Sequence, residues 1–192
     1  MSMTAYETKP LDQTTWADFA ALVEANNGIW GGCWCMWYHR KDTGETPAKK
    51  REAKERLVLE GRAHAALVYD GTKCTGWCQF GSPEELPCIH NSRAYLAAKP
   101  KLPDWRITCF FSSKGYRGKG VAFAALSGAI EQIEQMGGGR VEGYPEDTEG
   151  RKASPSFLFN GSLSIFERLQ FERVRLIGKH KWVVNRMVHP GT

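Results

Sequence analysis

The sequence predicts a mixed α/β fold, with residues 1–192 forming one domain, and three observations predict it. Short apolar strands alternate with helical stretches of 3.6-residue period along the chain. A hairpin is marked by Asp70-Gly71 between two apolar runs. The apolar run 105–111 passes through a glycine-rich loop directly into a helix. A chain of 192 residues has the size of one domain, and 42% hydrophobic, 24% charged and 11% aromatic residues exclude the disordered, collagen-like and coiled-coil classes.

The elements follow in order. Residues 6–11 read as a first strand. Thr15, with Asp18 three residues on, caps a helix carrying Phe19, Leu22 and Val23 that ends by Asn26-Asn27-Gly28. Beyond the aromatic cluster at 29–39, Thr46-Pro47 opens a charged helix to about Glu60, because proline's fixed φ suits the first helical position. Residues 63–69 and 74–80 are the hairpin strands. Pro83, Pro87, Pro100 and Pro103 break 81–103 into a connection with a short helical piece at 92–98. The strand 105–111, a loop at 112–119 and a helix at 120–136 come next, with Gly137-Gly138-Gly139 as the stop. A strand at 140–144, a polar loop at 145–156, a helix at 162–169 and strands at 171–177 and 181–188 complete the chain.

The net charge is +5 and the pI near 8.9, which favours an anionic ligand. The basic residues are dispersed among acids and form no stripe, so no nucleic-acid partner is expected. No apolar run approaches the roughly 18–20 residues of a bilayer span, and 1–11 lacks the pattern of a signal peptide, so a cytoplasmic protein without a membrane partner is expected. The six cysteines, in that setting, read as reduced thiols. Their spacings, Cys33-x-Cys35 and Cys74-x-x-x-Cys78, lack the paired ligands of zinc sites, and no metal is expected. Cys109 reads as a buried apolar residue.

The chemistry lies at 105–126. The loop contains Gly115, Gly118 and Gly120 and opens onto a helix, whose first amides lack internal partners and sit at the positive end of its dipole. A phosphate fits there, and Lys114, Arg117 and Lys119 add positive charge. A mononucleotide P-loop needs Ser or Thr after its lysine, whereas Lys119 precedes Gly120. A dinucleotide fingerprint needs a third glycine where Phe123 stands.

The run Arg117-Gly-Lys-Gly120-Val-Ala122 matches each fixed position of the signature Arg/Gln-x-x-Gly-x-Gly/Ala, and the chain resembles the GNAT superfamily of acetyl-CoA-dependent N-acetyltransferases. The likeness extends to the hairpin with Gly76 in its second strand and to the late helix Ser162-Leu-Ser-Ile-Phe-Glu-Arg-Leu. It implies a mostly antiparallel mixed sheet of six or seven strands, splayed in the middle and flanked by about four helices. It also implies acetyl-CoA as cosubstrate, its diphosphate held by the amides of Arg117, Gly118, Lys119, Gly120, Val121 and Ala122. Phe110, Phe111 and Ser112 would pair with the pantetheine, and the acetyl group would lie in the splay before 140–144. The acceptor would be a primary amine of a small molecule or peptide, and the protein a monomer or homodimer. A coenzyme-binding sensor without turnover is the alternative.

An alkylamine of pKa about 10.4 is neutral roughly once in 2,500 at pH 7, so removing its proton costs about 4.6 kcal/mol and calls for a base. The family's usual carboxylate position falls on Arg106; Asp104 and Glu142 are the candidates. The family's thiolate-protonating tyrosine is replaced by Phe166, leaving Tyr144, Ser162, Ser164 or water. Asn160 and Ser162, near the start of the late helix, serve either as caps or as coenzyme contacts. Trp30, Trp34, Trp37 and Tyr38 form either an apolar wall that stacks on the acceptor or plain core, with Trp77 and Cys78 beside them. The segment 146–155 is a candidate lid. His39, His64 and His90 carry no signal singly.

Overall fold

The computed structural model describes residues 6–39, 44–150, 154 and 158–191. Its strands are β1 (Glu7–Pro10), β2 (His64–Asp70), β3 (Lys73–Gly81), β4 (Trp105–Ser112), β5 (Gly139–Gly143), β6 (Glu172–Leu176) and β7 (Trp182–Val188). Its helices are α1 (Trp16–Glu24), α2 (Pro47–Leu59), α3 (Ser92–Ala97), α4 (Val121–Gln135) and α5 (Leu163–Arg168), with a 3₁₀ turn at Lys114–Tyr116. The strands form one sheet in the order β1-β2-β3-β4-β5-β7-β6. Every neighbouring pair is antiparallel except β4 and β5. The mixed, mostly antiparallel sheet expected from the sequence is therefore present.

The two faces of the sheet follow from the period of two along each strand. On β2, Ala65, Leu67 and Tyr69 join the core with α1 and α2, while Ala66 and Val68 face α4. Helices cover both faces, so these strands read as continuous apolar runs. Helix α1 buries Trp16, Phe19, Leu22 and Val23, each large side chain contributing about 1.5–3 kcal/mol. Pro47 opens α2 as expected, and Thr46 caps it, its Oγ1 accepting from Lys49 N. Thr15 does not cap α1: its hydroxyl donates to the Pro10 carbonyl at 2.7 Å and accepts from Asp12 N. The hairpin reverses at Gly71-Thr72, with Asp70 already paired to Lys73.

Two details of the sheet shape the site. First, β4 and β5 pair only over Trp105–Val141, Arg106–Glu142 and Ile107–Gly143, then diverge. Second, β4 carries a bulge against β3, where Gln79 pairs with Cys109 but Phe80 pairs with Ile107. The extra residue, Thr108, turns Cys109 toward the α1 and α2 face while Ile107 and Phe110 keep the α4 face. Gly76 on β3 is required beneath α4, since a Cβ there would stand 2.3 Å from the Phe111 carbonyl oxygen and 2.7 Å from Val121. Among the described residues no helix is long and apolar enough to cross a membrane.

Candidate active site

The glycine loop forms an open cradle. Arg117, Gly118, Lys119 and Gly120 are all exposed. Gly118 and Gly120 adopt φ of 72° and 87°, the left-handed region that glycine enters without penalty. Gly120 is the N-cap of α4, so the amides that follow point out of the helix end. The Lys119 amide is not among the free donors, because it bonds the Tyr116 carbonyl at 3.3 Å within the 3₁₀ turn. The cradle thus lacks one of the amides that the sequence motif includes. Arg117 Nε reaches the Ser112 carbonyl, and Lys119 lies over the Tyr116 ring.

A cavity of about 220 Å³ adjoins the cradle and is lined by Phe110, Phe111, Ser112, Arg117, Gly118 and Ala122 together with Trp30 and Leu158. A second cavity, about 320 Å³, is lined by Trp30, Trp37, Tyr38, His90 and Phe159, with Cys33, Cys35, Cys109 and Lys50. The cavities are neighbours: they share Trp30, and Cys109 and Phe159 of the second adjoin Phe110 and Leu158 of the first along the chain.

That loop enters the divergence between β4 and β5. Phe159 offers its carbonyl to the Phe110 amide at 2.7 Å, and Asn160 Nδ2 donates to the Thr108 carbonyl. Of the strand edge expected to pair with pantetheine, Phe110 is already engaged; Ser112, two residues on, faces the same way. Phe166 is fully buried against Phe110 and Phe171, and a Cβ on Gly143 would stand 2.4 Å from its ring. A hydroxyl at this position would be buried among apolar rings, so phenylalanine is what the packing requires.

The strand order, the cradle at the start of α4 and the divergence after Gly143 can now be set beside known structures. The structure is similar to mosquito arylalkylamine N-acetyltransferase-like 5b, with TM-score 0.57 and 11% identity over 95% of this chain and 100% of that one. It is similar to Arabidopsis thaliana NAA60 in complex with acetyl-CoA, with TM-score 0.52 and 12% identity over 96% and 99%. A GNAT-family protein from Desulfovibrio desulfuricans gives TM-score 0.54 and 14% identity over 96% and 99%. The chain has the GNAT acetyltransferase fold. No family model matches the sequence, and no curated protein matches it.

Within this GNAT fold the two candidate carboxylates stand apart from the cavities. Asp104 is exposed at the opposite end of β4 from the cradle, about 26 Å along the strand, and accepts from the Arg140 amide at 2.7 Å. Glu142 is buried, its Oε1 accepting from Tyr144 OH at 2.9 Å. Tyr144, beside Tyr95 and Arg106, is equally buried, and burial followed by the Glu142 charge raises its pKa. Glu142 and Tyr144 line neither cavity; Tyr144, just past β5, packs on Tyr95 of α3.

The aromatic cluster divides. Trp30 and Trp37 are exposed on the second cavity, whereas Trp34 turns inward and stacks on Trp16 at 6.2 Å. Trp30, Trp34 and Cys35 all have positive φ, so the chain reverses sharply between the two outward tryptophans. Trp77 is wholly buried between Phe19 and Phe111 and is core, and Cys78 faces α4 on the other side of the sheet. Ser162 precedes α5 without capping it and meets Ser164 Oγ at 3.1 Å. The lid expectation at 146–155 falls partly on residues 151–153 and 155, outside the described residues. The described start of that loop is tied down, Glu146 and Asp147 amides bonding the Gly161 and His180 carbonyls.

Asn160 does not cap α5, whose N-cap is Ser162, and its side chain is committed within the protein. It is 1% exposed, and its amide joins three segments: Nδ2 to Tyr38 OH at 2.6 Å and to β4 at Thr108, Oδ1 to Lys181 Nζ at 2.9 Å. Asn160→Ala orphans buried partners and is expected to cost about 2 kcal/mol, lowering the melting temperature by roughly 4–8 °C in a thermal melt.

His90 is the functional candidate that sequence reasoning passed over. It stacks on Trp37 at 3.7 Å and faces Phe159, and burial, then Lys181, pushes its pKa down to about 4. Only tertiary structure brings the 81–103 connection to this cavity.

Proposed function

We propose that the protein is an N-acetyltransferase, with acetyl-CoA on the α4 cradle and a small-molecule primary amine in the aromatic cavity. The observation that carries this is the open cradle leading, past Trp30, into a second cavity beside the divergent strands. The amides of 120–122 and the charge of Arg117 fit a diphosphate. Bound acetyl-CoA supplies the acyl group as a thioester.

The acceptor cavity favours an aromatic amine. Among the described residues its lining holds no carboxylate to pair with an alkylammonium, while Trp37 and Phe159 offer ring faces. An arylamine is already neutral at pH 7. His90, uncharged there, is matched to the acidic N–H of the adduct formed after attack and not to an alkylammonium. Tyr38 is the proton donor for the departing thiolate. Its oxygen accepts from Asn160, leaving the O–H free to donate, and burial, then Cys109, holds its pKa well up, so the proton stays in place.

Isothermal titration with acetyl-CoA, followed by thiol-release assays on arylamines and alkylamines, tests this. Binding with arylamine turnover is expected, and Tyr38→Phe lowers kcat by about 100-fold or more with acetyl-CoA affinity unchanged. No binding by the folded protein overturns the enzyme. Binding without turnover on any amine leaves the sensor reading, which the buried Glu142 and Phe166 favour.

A further inference from the structure

We infer that Cys35 and Cys109 form a redox-reactive dithiol on the floor of the aromatic cavity, which a peroxide or a small-molecule disulfide converts into an intramolecular cystine. The sulfurs are 3.1 Å apart although the residues are 74 positions apart in sequence. Both line the cavity, so a reagent the size of hydrogen peroxide reaches them although the residues are only 2% and 5% exposed. Neither gives or takes a proton or an acyl group in the acetyl-transfer steps proposed above, and the inference does not depend on those steps.

The surroundings favour a reactive thiol over inert core packing. The two sulfurs share a hydrogen bond, and this bond, then the Lys54 charge, draws the Cys35 pKa down despite burial. Lys54 is itself fully buried, held by Gln79 Oε1 at 2.6 Å. The buried Trp77 indole N–H, directed toward Cys35, also favours its thiolate. Cys35 lies in a tight turn at φ 53°, next to Trp34 at 51°, and Cys109 at the β4 bulge. A disulfide needs a sulfur separation of about 2.05 Å, so the sulfurs must close by about 1 Å.

With peroxide the Cys35 thiolate attacks one oxygen, the O–O bond breaks, and a sulfenic acid forms as the other oxygen leaves and is protonated to water. The Cys109 thiol then attacks the Cys35 sulfur, the S–O bond breaks, and the hydroxyl leaves with the Cys109 proton as a second water. Two thiols are oxidised by two electrons and one peroxide is reduced to two waters. With a small disulfide the same pair exchanges through a mixed disulfide and releases two thiols. The bond ties the turn bearing Trp30 and Trp37 to β4, fixing the wall of the cavity against the strand.

The test is peptide mapping of the full chain after treatment with hydrogen peroxide or oxidised glutathione, with alkylation under denaturing conditions. The expected result is an intact mass lower by two hydrogens, two fewer alkylated cysteines, a peptide linking Cys35 to Cys109, and full reversal by dithiothreitol. Amide exchange then slows across 28–39 and not at 117–122, and the melting temperature rises by about 5 °C or more. Cys88→Ser, outside the cavity, leaves the cystine intact, whereas Cys35→Ala and Cys109→Ala each abolish it. A Cys33–Cys35 link, intermolecular dimers, or six unreacted thiols would overturn the inference. Loss of acetyl-CoA binding alone bears on the proposed enzyme and not on the dithiol.

Discussion

Gly120→Val is expected to weaken acetyl-CoA binding at least about 100-fold, a loss of about 2.7 kcal/mol, in a protein that still folds. The two effects separate because of where the glycine stands. A Cβ on Gly120 meets nothing within 4 Å, so the variant has no packing clash to relieve. Its φ of 87° does carry a penalty, about 1–2 kcal/mol for a side-chain-bearing residue, or roughly 2–8 °C in melting temperature. The branched side chain projects into the solvent-facing space before the first α4 amides, where the diphosphate would approach within hydrogen-bond distance. Gly120→Ala has a smaller obstruction with much of the same backbone penalty, so its affinity falls less. Titration calorimetry beside a thermal melt reads both quantities; a folded Gly120→Val protein that keeps its affinity shows that the diphosphate lies elsewhere.

The cradle was legible in the sequence because each of its requirements is local. A strand, glycines able to take positive φ and a helix start occupy consecutive positions, and their order fixes the geometry. The strands were legible for a similar reason: helices on both faces bury β2, β3 and β4 at most positions, and short apolar runs such as 65–69 and 109–111 mark them in the sequence. The acceptor side was not. Trp30, Trp34 and Trp37 are indistinguishable by composition, and only the positive-φ residues between them decide which faces the cavity and which faces Trp16. Asn160 resembles a helix cap because it lies near the start of α5, yet its partners are on β4, at Lys181 just before β7, and in the 37–39 turn. Glu142 was chosen for its strand and its chemistry, and the register that pairs it with Arg106 could not be read from spacing. Phe166 and Gly143 make the same point in reverse, since the ring and the missing side chain fit only together.

Acidification between pH 6.5 and 5 is expected to destabilise the fold by about 3 kcal/mol through two histidines. Burial, then the Lys54 charge, pushes the His39 pKa down to about 2, and its Nε2 lies 3.4 Å from Lys54 Nζ. Burial, then Lys181, pushes His90 down to about 4. In the unfolded chain both titrate near 6.5, so below that pH the unfolded state binds protons that the native state refuses. Stability is then fully present above pH 6.5 and falls with pH until each native pKa is reached, by about 1.4 kcal/mol per pH unit for each histidine. The His90 share ends near pH 4, while that of His39 continues. Set against a total stability of about 5–15 kcal/mol, the loss is large enough to move a urea midpoint. Urea unfolding at half-unit steps from pH 7.5 to 5 measures it. His39→Gln, which cannot take up the proton, should remove about half of the slope and shift what remains to His90. A wild-type midpoint that stays level across that range would mean that His39 is open to solvent and protonates in the folded protein.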